Sequence, residues 1–87
     1  MTTVFIPATL RRLTNGADRV NVSGETVGEL IDALDERFPG MRDALVRDGD
    51  LVPHFAVSID DVLAETGIDE SVGSASEVHF VPPLGGG

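Results

Sequence analysis

The stretch TVGELIDALDERFPG, residues 26–40, predicts one amphipathic helix with a marked beginning and a marked end. Thr26 and Glu29 have the spacing of a capping box, in which the hydroxyl and the carboxylate each accept a hydrogen bond from a backbone N–H group. Proline disfavours helical backbone in the residue before it, so we expect the helix to end at Phe38. Between these limits the apolar residues recur at helical spacing and form one stripe, made of Val27, Leu30, Ile31, Leu34 and Phe38.

Strand patterns flank this helix on both sides. Segments 3–8 and 19–23 alternate apolar and polar residues around an Asn-Gly turn, and we predict that they form a hairpin. Segments 55–60 and 77–81 alternate as two further strands. One helix lying across such strands predicts an α+β fold with a mixed sheet of four to five strands. The first and last strands are expected to pair in parallel, because the helix provides the crossover that this pairing requires.

The remaining segments are patterned more weakly. Residues 41–48 predict a short second helical turn that ends before Gly49. Residues 61–76 predict a loop or a short edge strand. Its expected anchors on the core are Val62, Leu63, Ile68 and Val72.

Composition describes a small acidic protein. The 87 residues include 15 Asp and Glu against 6 basic residues, all arginine, and the net charge is −9. This charge repels nucleic-acid phosphates and favours a basic protein partner. No apolar run approaches the ~20 residues of a membrane span, and no basic segment precedes an apolar one at the start. We therefore expect a cytoplasmic protein that binds neither nucleic acid nor membrane.

The residue types offer little for catalysis. His54 and His79 lie in different predicted strands without an acid–base partner at a recognisable spacing. The carboxylate pairs Asp48/Asp50 and Asp60/Asp61 lack the spacing of a calcium loop and are interpreted as turn caps. The chain has no cysteine for a disulfide, a thiolate metal site or a nucleophile, and it has no lysine for a P-loop. We expect a protein that is not an enzyme, binds no metal or cofactor, and leaves any ATP chemistry to a partner.

The chain closes on PPLGGG, residues 82–87. Three glycines without Cβ atoms form a thin thread, and six extended residues reach about 20 Å. Pro82 and Pro83 stiffen the base of this thread. We predict a folded domain over residues 1–81 and a flexible tail over 82–87 that presents a terminal carboxylate to an enzyme channel. A frayed terminus or a cloning scar is the alternative interpretation.

An apolar patch is expected at the root of this tail. Alternation turns Val81 away from the core, and it does the same for Phe5 in the first strand. Together with Leu84 these side chains would form a partner site, since exposed apolar patches often mark such sites. The alternative is that they are ordinary isolated apolar residues on a protein surface.

Four segments of the chain match a known family: IPATLR at 6–11, GETVGEL at 24–30, FPG at 38–40 and, as the specific motif, EVHFVPPLGGG at 77–87. With these segments the chain resembles, over nearly its full length, the ThiS/MoaD family of ubiquitin-like sulfur carrier proteins. The resemblance implies a ubiquitin-like β-grasp fold. It also implies that an E1-like enzyme adenylates the Gly87 carboxylate with ATP and that sulfur then displaces AMP, leaving a thiocarboxylate. Glycyl-AMP and 1-thioglycine at Gly87 would be transient covalent states, with no bound cofactor.

The resemblance also implies the roles of the site residues and the partners. The partners would be an E1-like adenylating enzyme and a sulfur-acceptor synthase. The implied residues are Gly87 for adenylation, Leu84, Gly85 and Gly86 for tail threading, and Phe5, Arg11, Val81, Pro82 and Pro83 for partner binding.

The sequence leaves the identity of the sulfur acceptor open. The FVPPL ending is more similar to the small subunit of molybdopterin synthase, whereas the N-terminal two-thirds is more similar to actinobacterial carriers that supply cysteine synthesis. Carriers for thiamine or natural products share the same scaffold. Residues 60–61 and 74–76 are Asp-Asp and Ser-Ala-Ser, where many members have Asn-Gly or Asn-Asp and Asp-Gly-Asp. Two alternatives remain: a ubiquitin-like modifier conjugated through Gly87 to target lysines, and a β-grasp interaction module with an inert tail.

Overall fold

The computed structural model describes residues 1–52, 55–64, 67–73 and 77–81. In chain order the elements are β1 (Thr2–Phe5), a first 3-10 helix (Ala8–Thr14), β2 (Arg19–Val22), α1 (Val27–Arg37), α2 (Met41–Leu45), β3 (Val46–Arg47), β4 (Asp50–Leu51), β5 (Ala56–Ile59), β6 (Val62–Leu63), a second 3-10 helix (Gly67–Asp69) and β7 (Glu77–Val81). Five strands form one sheet in the order β2-β1-β7-β5-β6, and β3 and β4 form a separate hairpin.

The pairing of β1 with β7 organises this sheet. The two strands are parallel, with Phe5 opposite His79, whereas the other pairs in the sheet are antiparallel. The predicted parallel pairing of the first and last strands is therefore confirmed, and so is the mixed-sheet β-grasp fold. Because β1 and β7 run in the same direction, both finish at one end of the sheet, at Phe5 and Val81. We call this the tail-root end.

Helix α1 begins and ends close to where its sequence predicts. The Thr26 hydroxyl accepts a hydrogen bond from the Glu29 backbone N–H at 3.2 Å. The Glu29 carboxylate accepts one from Glu25 at 3.1 Å, one residue before the position used in a capping box. Phe38 leaves helical geometry at φ −134° and ψ 83°, consistent with the proline that follows.

The core lies between α1 and one face of the sheet. Val4 and Val78 face each other across β1 and β7, and Leu30, Ile31 and Leu34 of α1 cover this face. The cluster of buried apolar residues is Val4, Ile6, Leu10, Val20, Val22, Val27, Leu30, Ile31, Leu34, Met41, Leu45, Val57, Val78 and Phe80. The predicted helix stripe is thus the helical half of the core, with Phe38 partly buried at its end.

The predicted antiparallel hairpin of β1 and β2 is confirmed, whereas three local details differ from expectation. The link between β1 and β2 is a 3-10 helix that buries Leu10, and the segment after α2 forms the β3–β4 hairpin around Gly49. Val62 and Leu63 were expected to anchor on the core, but they are 68% and 50% exposed. Their strand β6 lies at the outer edge of the sheet, with a neighbouring strand on one side.

The turn that produces β6 has unusual backbone geometry. Asp60 and Asp61 connect β5 to β6 with φ values of 50° and 70°, which lie in the left-handed region. The Asp60 carboxylate accepts a hydrogen bond from the Glu77 N–H at 2.9 Å. Asp60 is therefore a turn cap, as its sequence position suggests. None of the helices in the described ranges is long and apolar enough to cross a membrane.

Candidate partner-binding site at the tail-root end

The outer face of the sheet carries one continuous row of side chains across all five strands. The strand registers place Arg19, Phe5, His79, Ser58 and Leu63 next to one another in that order. We call these five residues the outer row. It lies on the face opposite α1, because the neighbouring positions in the same strands point into the core.

An aromatic pair occupies the middle of the outer row. The rings of Phe5 and His79 are parallel within 8°, with centroids 4.1 Å apart. The Arg19 guanidinium carbon lies 5.9 Å from the Phe5 centroid, on the β2 side. Phe5 and His79 are both half-buried, so each still presents part of its ring to a partner.

Val81 extends this surface toward the tail. It is the last residue of β7, it lies on the same face as His79, and it is paired with Ala56 of β5. Phe5 and Val81, the two described members of the predicted patch, therefore share one face at the tail-root end. Leu84, the third member, lies outside the described residues.

Arg11 also lies at the tail-root end, and its own hydrogen bond holds it there. Its Nε donates to the carbonyl of Ile6 at 3.1 Å, directly after β1 ends. Its backbone carbonyl accepts from the Thr14 hydroxyl at 3.1 Å and from the Gly16 N–H at 2.8 Å. The side chain is nevertheless exposed, and among the described residues its guanidinium is hydrogen-bonded through Nε alone.

The predicted residues of the tail lie outside the described residues. These are Pro82, Pro83, Leu84, Gly85, Gly86 and Gly87. His54, in the segment between β4 and β5, also lies outside the described residues. The structure describes Phe5, Arg11 and Val81, and it brings them to one end of the sheet.

His79 is the residue that sequence reasoning left out of the site. The sequence pattern offers it no acid–base partner, and alternation in β7 turns it outward. The missing information was the parallel register, because only this register places it opposite Phe5. Over the part of the chain that the structure describes, no group of three His, Asp or Glu side chains could hold a metal ion.

The family model of the ThiS family matches residues 4–87, almost the entire chain. The chain belongs to the ThiS family. The resemblance to ubiquitin-like sulfur carriers of the ThiS/MoaD type is therefore confirmed. A search of curated proteins finds no match to this ThiS-family protein.

Solved structures of similar proteins share its fold over their full length. A chain of the Amycolatopsis orientalis BexX/CysO complex is 30% identical, with a TM-score of 0.91 and 100% of both chains covered. Mycobacterium tuberculosis CysO is 26% identical, with a TM-score of 0.89, covering 97% of this chain and 100% of the other. A crystal structure of small archaeal modifier protein 1 of Haloferax volcanii is 28% identical, with a TM-score of 0.73, covering 95% of this chain and 97% of the other. The ThiS-family protein is thus similar both to CysO and to a small archaeal modifier protein.

Proposed function

We propose that this protein is a sulfur carrier whose Gly87 carboxylate is activated by an E1-like enzyme and converted to a thiocarboxylate. The observation that supports this proposal most strongly is the arrangement at the tail-root end. Phe5, Val81 and Arg11 are presented together where β7 ends, and residues 82–87 follow directly. A partner bound at this surface has the start of the tail beside it.

The chemistry requires activation because a carboxylate is a poor electrophile. In the proposed first step a Gly87 carboxylate oxygen attacks the α-phosphorus of ATP, and pyrophosphate leaves. Hydrosulfide then attacks the glycyl carbonyl carbon, the bond to AMP breaks, and a thiocarboxylate remains. The partner enzyme would bind ATP and deliver the hydrosulfide, and this protein would supply only the carboxylate. The carrier contributes binding and an unobstructed tail, since a Cβ at Gly86 or Gly87 would hinder the approach.

The described residues would contribute docking and no chemical step. Phe5 and Val81 provide apolar area at the tail-root end, where burial by a partner is favourable. Arg11 would offer the guanidinium donors that bond no other described residue. The chain has no lysine, so it offers the activated glycine no internal side-chain amine. We propose the cytoplasm as the site of this reaction.

A second candidate function is conjugation to other proteins. The similarity to small archaeal modifier protein 1 favours it, because that protein is named for such a role. The same glycyl adenylate would then be attacked by a lysine amine of a target protein. The two functions share activation and differ in the nucleophile that displaces AMP.

The acceptor would be a synthase that binds the outer face and takes sulfur from the thiocarboxylate. One similar chain comes from the BexX/CysO complex, and we propose that this protein also binds its acceptor as a folded carrier. Molybdopterin, cysteine, thiamine and a sulfur-containing natural product remain the candidate products. A strain that lacks the gene for this protein would be grown with each product supplied singly. The product that restores growth would identify the pathway.

Intact mass spectrometry of the native protein, untagged at its C-terminus and purified without acid, tests the proposal. We expect a species about 16 Da heavier, mapped to Gly87 and lost on alkylation, because sulfur has replaced one oxygen. A variant lacking Gly86 and Gly87 is the control and should lack the heavier species. Lysine-linked conjugates would instead support the modifier. An unchanged mass after incubation with ATP, sulfide and an adenylating enzyme from the same genome would contradict both.

A further inference from the structure

Strand β6 exposes two large apolar side chains at one edge of the sheet. Val62 and Leu63 are adjacent, and they project to opposite faces because successive strand residues alternate. Leu63 belongs to the outer row, whereas Val62 is paired with Ile59 on the core face. A partner resting on the outer face would cover Leu63 and leave Val62 in water. A strand added beside β6 would cover both side chains, since its own residues would flank them on both faces.

The backbone of β6 directs hydrogen-bonding groups at this open edge. In an antiparallel pair, residues that bond to the neighbouring strand alternate with residues that point away from it. The Ala64 N–H donates to the Val57 carbonyl at 2.8 Å, so Ala64 is one of the bonded positions. Leu63, one position earlier and opposite Ser58, is therefore a position that points away. Its N–H and its carbonyl are turned toward the place where another strand would lie, and no described residue bonds to them.

The opposite edge of the sheet is protected from such pairing in two ways. The Asn21 carbonyl of β2 accepts a hydrogen bond from the Arg37 guanidinium at 2.9 Å. Arg19 places an exposed charge on the same strand, and charged side chains on edge strands discourage pairing. Residues 62–64 at the other edge carry no charge. Of the two edges, β6 is therefore the more open to a partner strand.

The charges around β6 select the chemistry of that partner. Asp61 precedes the strand and is exposed, and Glu65 follows it in the sequence. A second copy pairing antiparallel about Leu63 would set Asp61 of each copy opposite Glu65 of the other, and like charges directly opposite destabilise a strand pair. The net charge of −9 adds to this repulsion between copies. A strand with basic residues at these two positions would instead be attracted.

We propose that β6 is a docking edge for an extended segment of a partner protein in which apolar residues are flanked by lysine or arginine. Leu63 would exchange two backbone hydrogen bonds with the central residue of that segment, and a neighbouring residue would cover Val62. The basic residues would lie opposite positions 61 and 65. This docking edge extends the proposed function, on which it rests for the assignment of the contact to a partner of the carrier. It also agrees with the basic partner that the net charge favours.

The position of β6 brings such a partner within reach of the tail. Because β6 is antiparallel to β5, and β5 is antiparallel to β7, strands β6 and β7 both run toward the tail-root end. A strand added beside β6 would lie three strand spacings from β7, or about 14 Å. The six residues that follow Val81 span up to about 20 Å when extended. A partner held at the docking edge could therefore receive Gly87.

A peptide titration of the full chain tests the docking edge without any partner enzyme. The probe is acetyl-Lys-Val-Leu-Val-Lys-amide, added to the 15N-labelled protein and followed by NMR amide shifts. Because β6 is short, we expect weak, reversible binding with shifts centred on Val62, Leu63 and Ala64. Hydrogen exchange gives an independent reading, since the Leu63 N–H should exchange more slowly when the peptide is bound.

Two altered peptides separate charge from backbone pairing on the wild-type chain. Glutamate in place of both lysines should weaken binding more than about fivefold, because attraction at positions 61 and 65 becomes repulsion. N-methyl-leucine in place of the central leucine removes the N–H that would donate to the Leu63 carbonyl. This second change should weaken binding about two- to tenfold, the range expected for one hydrogen bond.

Four substitutions make the same separation in the protein. Leu63→Pro removes an N–H that bonds to nothing in β5, so the fold should be kept. Leu63→Thr loses the apolar side chain but keeps this N–H, and it should bind the lysine peptide about two- to tenfold more tightly than Leu63→Pro does. Asp61→Asn should weaken binding about two- to fivefold. Asp48→Asn removes the same charge at another left-handed turn position, in the β3–β4 hairpin, and should leave binding unchanged.

Several results would overturn the docking edge. These are no shift at residues 62–64, equal binding of the leucine and N-methyl-leucine peptides, or equal effects of Asp61→Asn and Asp48→Asn. Shifts at Leu63 that depend on protein concentration without peptide would show that a second copy occupies the edge, and they would overturn it too. Absence of a thiocarboxylate on the wild-type chain would refute the proposed function and leave the peptide results unaffected, so the two failures are distinguishable.

Discussion

The turn at Asp60 and Asp61 allows a prediction in which two similar substitutions have different effects. Both residues have positive φ, at 50° and 70°, and both replacements by glycine change the net charge equally. A left-handed backbone costs an ordinary residue about 1–2 kcal/mol, whereas glycine accepts it without that cost but loses about 0.5–1 kcal/mol more conformational entropy on folding. We therefore expect Asp61→Gly to stabilise the protein by about 0.5–1 kcal/mol.

Asp60→Gly should differ because the Asp60 carboxylate has a structural role. It accepts a hydrogen bond from the Glu77 N–H at 2.9 Å, at the start of β7. Losing such a bond costs about 0.5–1.5 kcal/mol, which offsets the relief of backbone strain. We expect Asp60→Gly to leave the free energy of unfolding unchanged or to lower it. The two variants should thus differ by about 1 kcal/mol in favour of Asp61→Gly.

Urea unfolding followed by circular dichroism measures this difference. The slope of the free energy against urea should be the same for both variants, since neither changes the surface exposed on unfolding. For a domain of this size 1 kcal/mol corresponds to roughly 4–8 °C in melting temperature, so thermal scans provide a second reading. If Asp60→Gly stabilised the protein as much as Asp61→Gly, the Glu77 hydrogen bond would contribute nothing and our account of the turn would be wrong.

Three further predictions concern the helix, its connection to α2 and the tail. Leu34→Ala should lower the free energy of unfolding by about 2–5 kcal/mol, because the side chain is fully buried; a loss below about 1 kcal/mol in urea would place the wrong face of α1 inside. Asp35→Ala should cost about 1–2 kcal/mol in the same assay, since its carboxylate accepts the N–H groups of Gly40 and Arg42 at the start of α2, each at 3.1 Å. Asp35→Asn, the matched control, should cost less. Gly87→Ala should leave stability unchanged and slow pyrophosphate release with an activating enzyme, and an unchanged release rate would count against tail threading.

Residue patterns that extend over a whole helix or strand predicted most of the fold. Helix α1 has a capping pair, a complete apolar stripe and a proline stop, and each of these acts within a few residues of the chain. Alternation in β1 and β7 gave the correct inward and outward faces, with Val4 and Val78 buried and Phe5 half-exposed. The parallel pairing followed from connectivity, because a crossover helix separates the two strands.

Shorter or purely tertiary features could not be predicted in the same way. Strands β3 and β4 have two residues each, too few for any period to be recognised. Val62 is an apolar residue of a type that is usually buried, and only its place on the outermost strand explains its exposure. The Phe5–His79 stack depends on a register between residues 74 positions apart, and the Arg11 contact with Ile6 depends on a 3-10 helix that the sequence does not mark. The predicted boundary between domain and tail stays a prediction.

The proposed function separates the chemistry at Gly87 from recognition at the tail-root end. Gly87 is six residues beyond Val81 in the sequence, and six extended residues span up to about 20 Å. The proposal therefore assigns docking to Phe5, Arg11 and Val81 and the covalent chemistry to Gly87. Under this proposal the outer row would differ between carriers of different acceptors while the tail stays the same. Acceptor identity should be sought in the outer row and in the neighbouring β5–β6 turn, where the chain also departs from the usual family sequence.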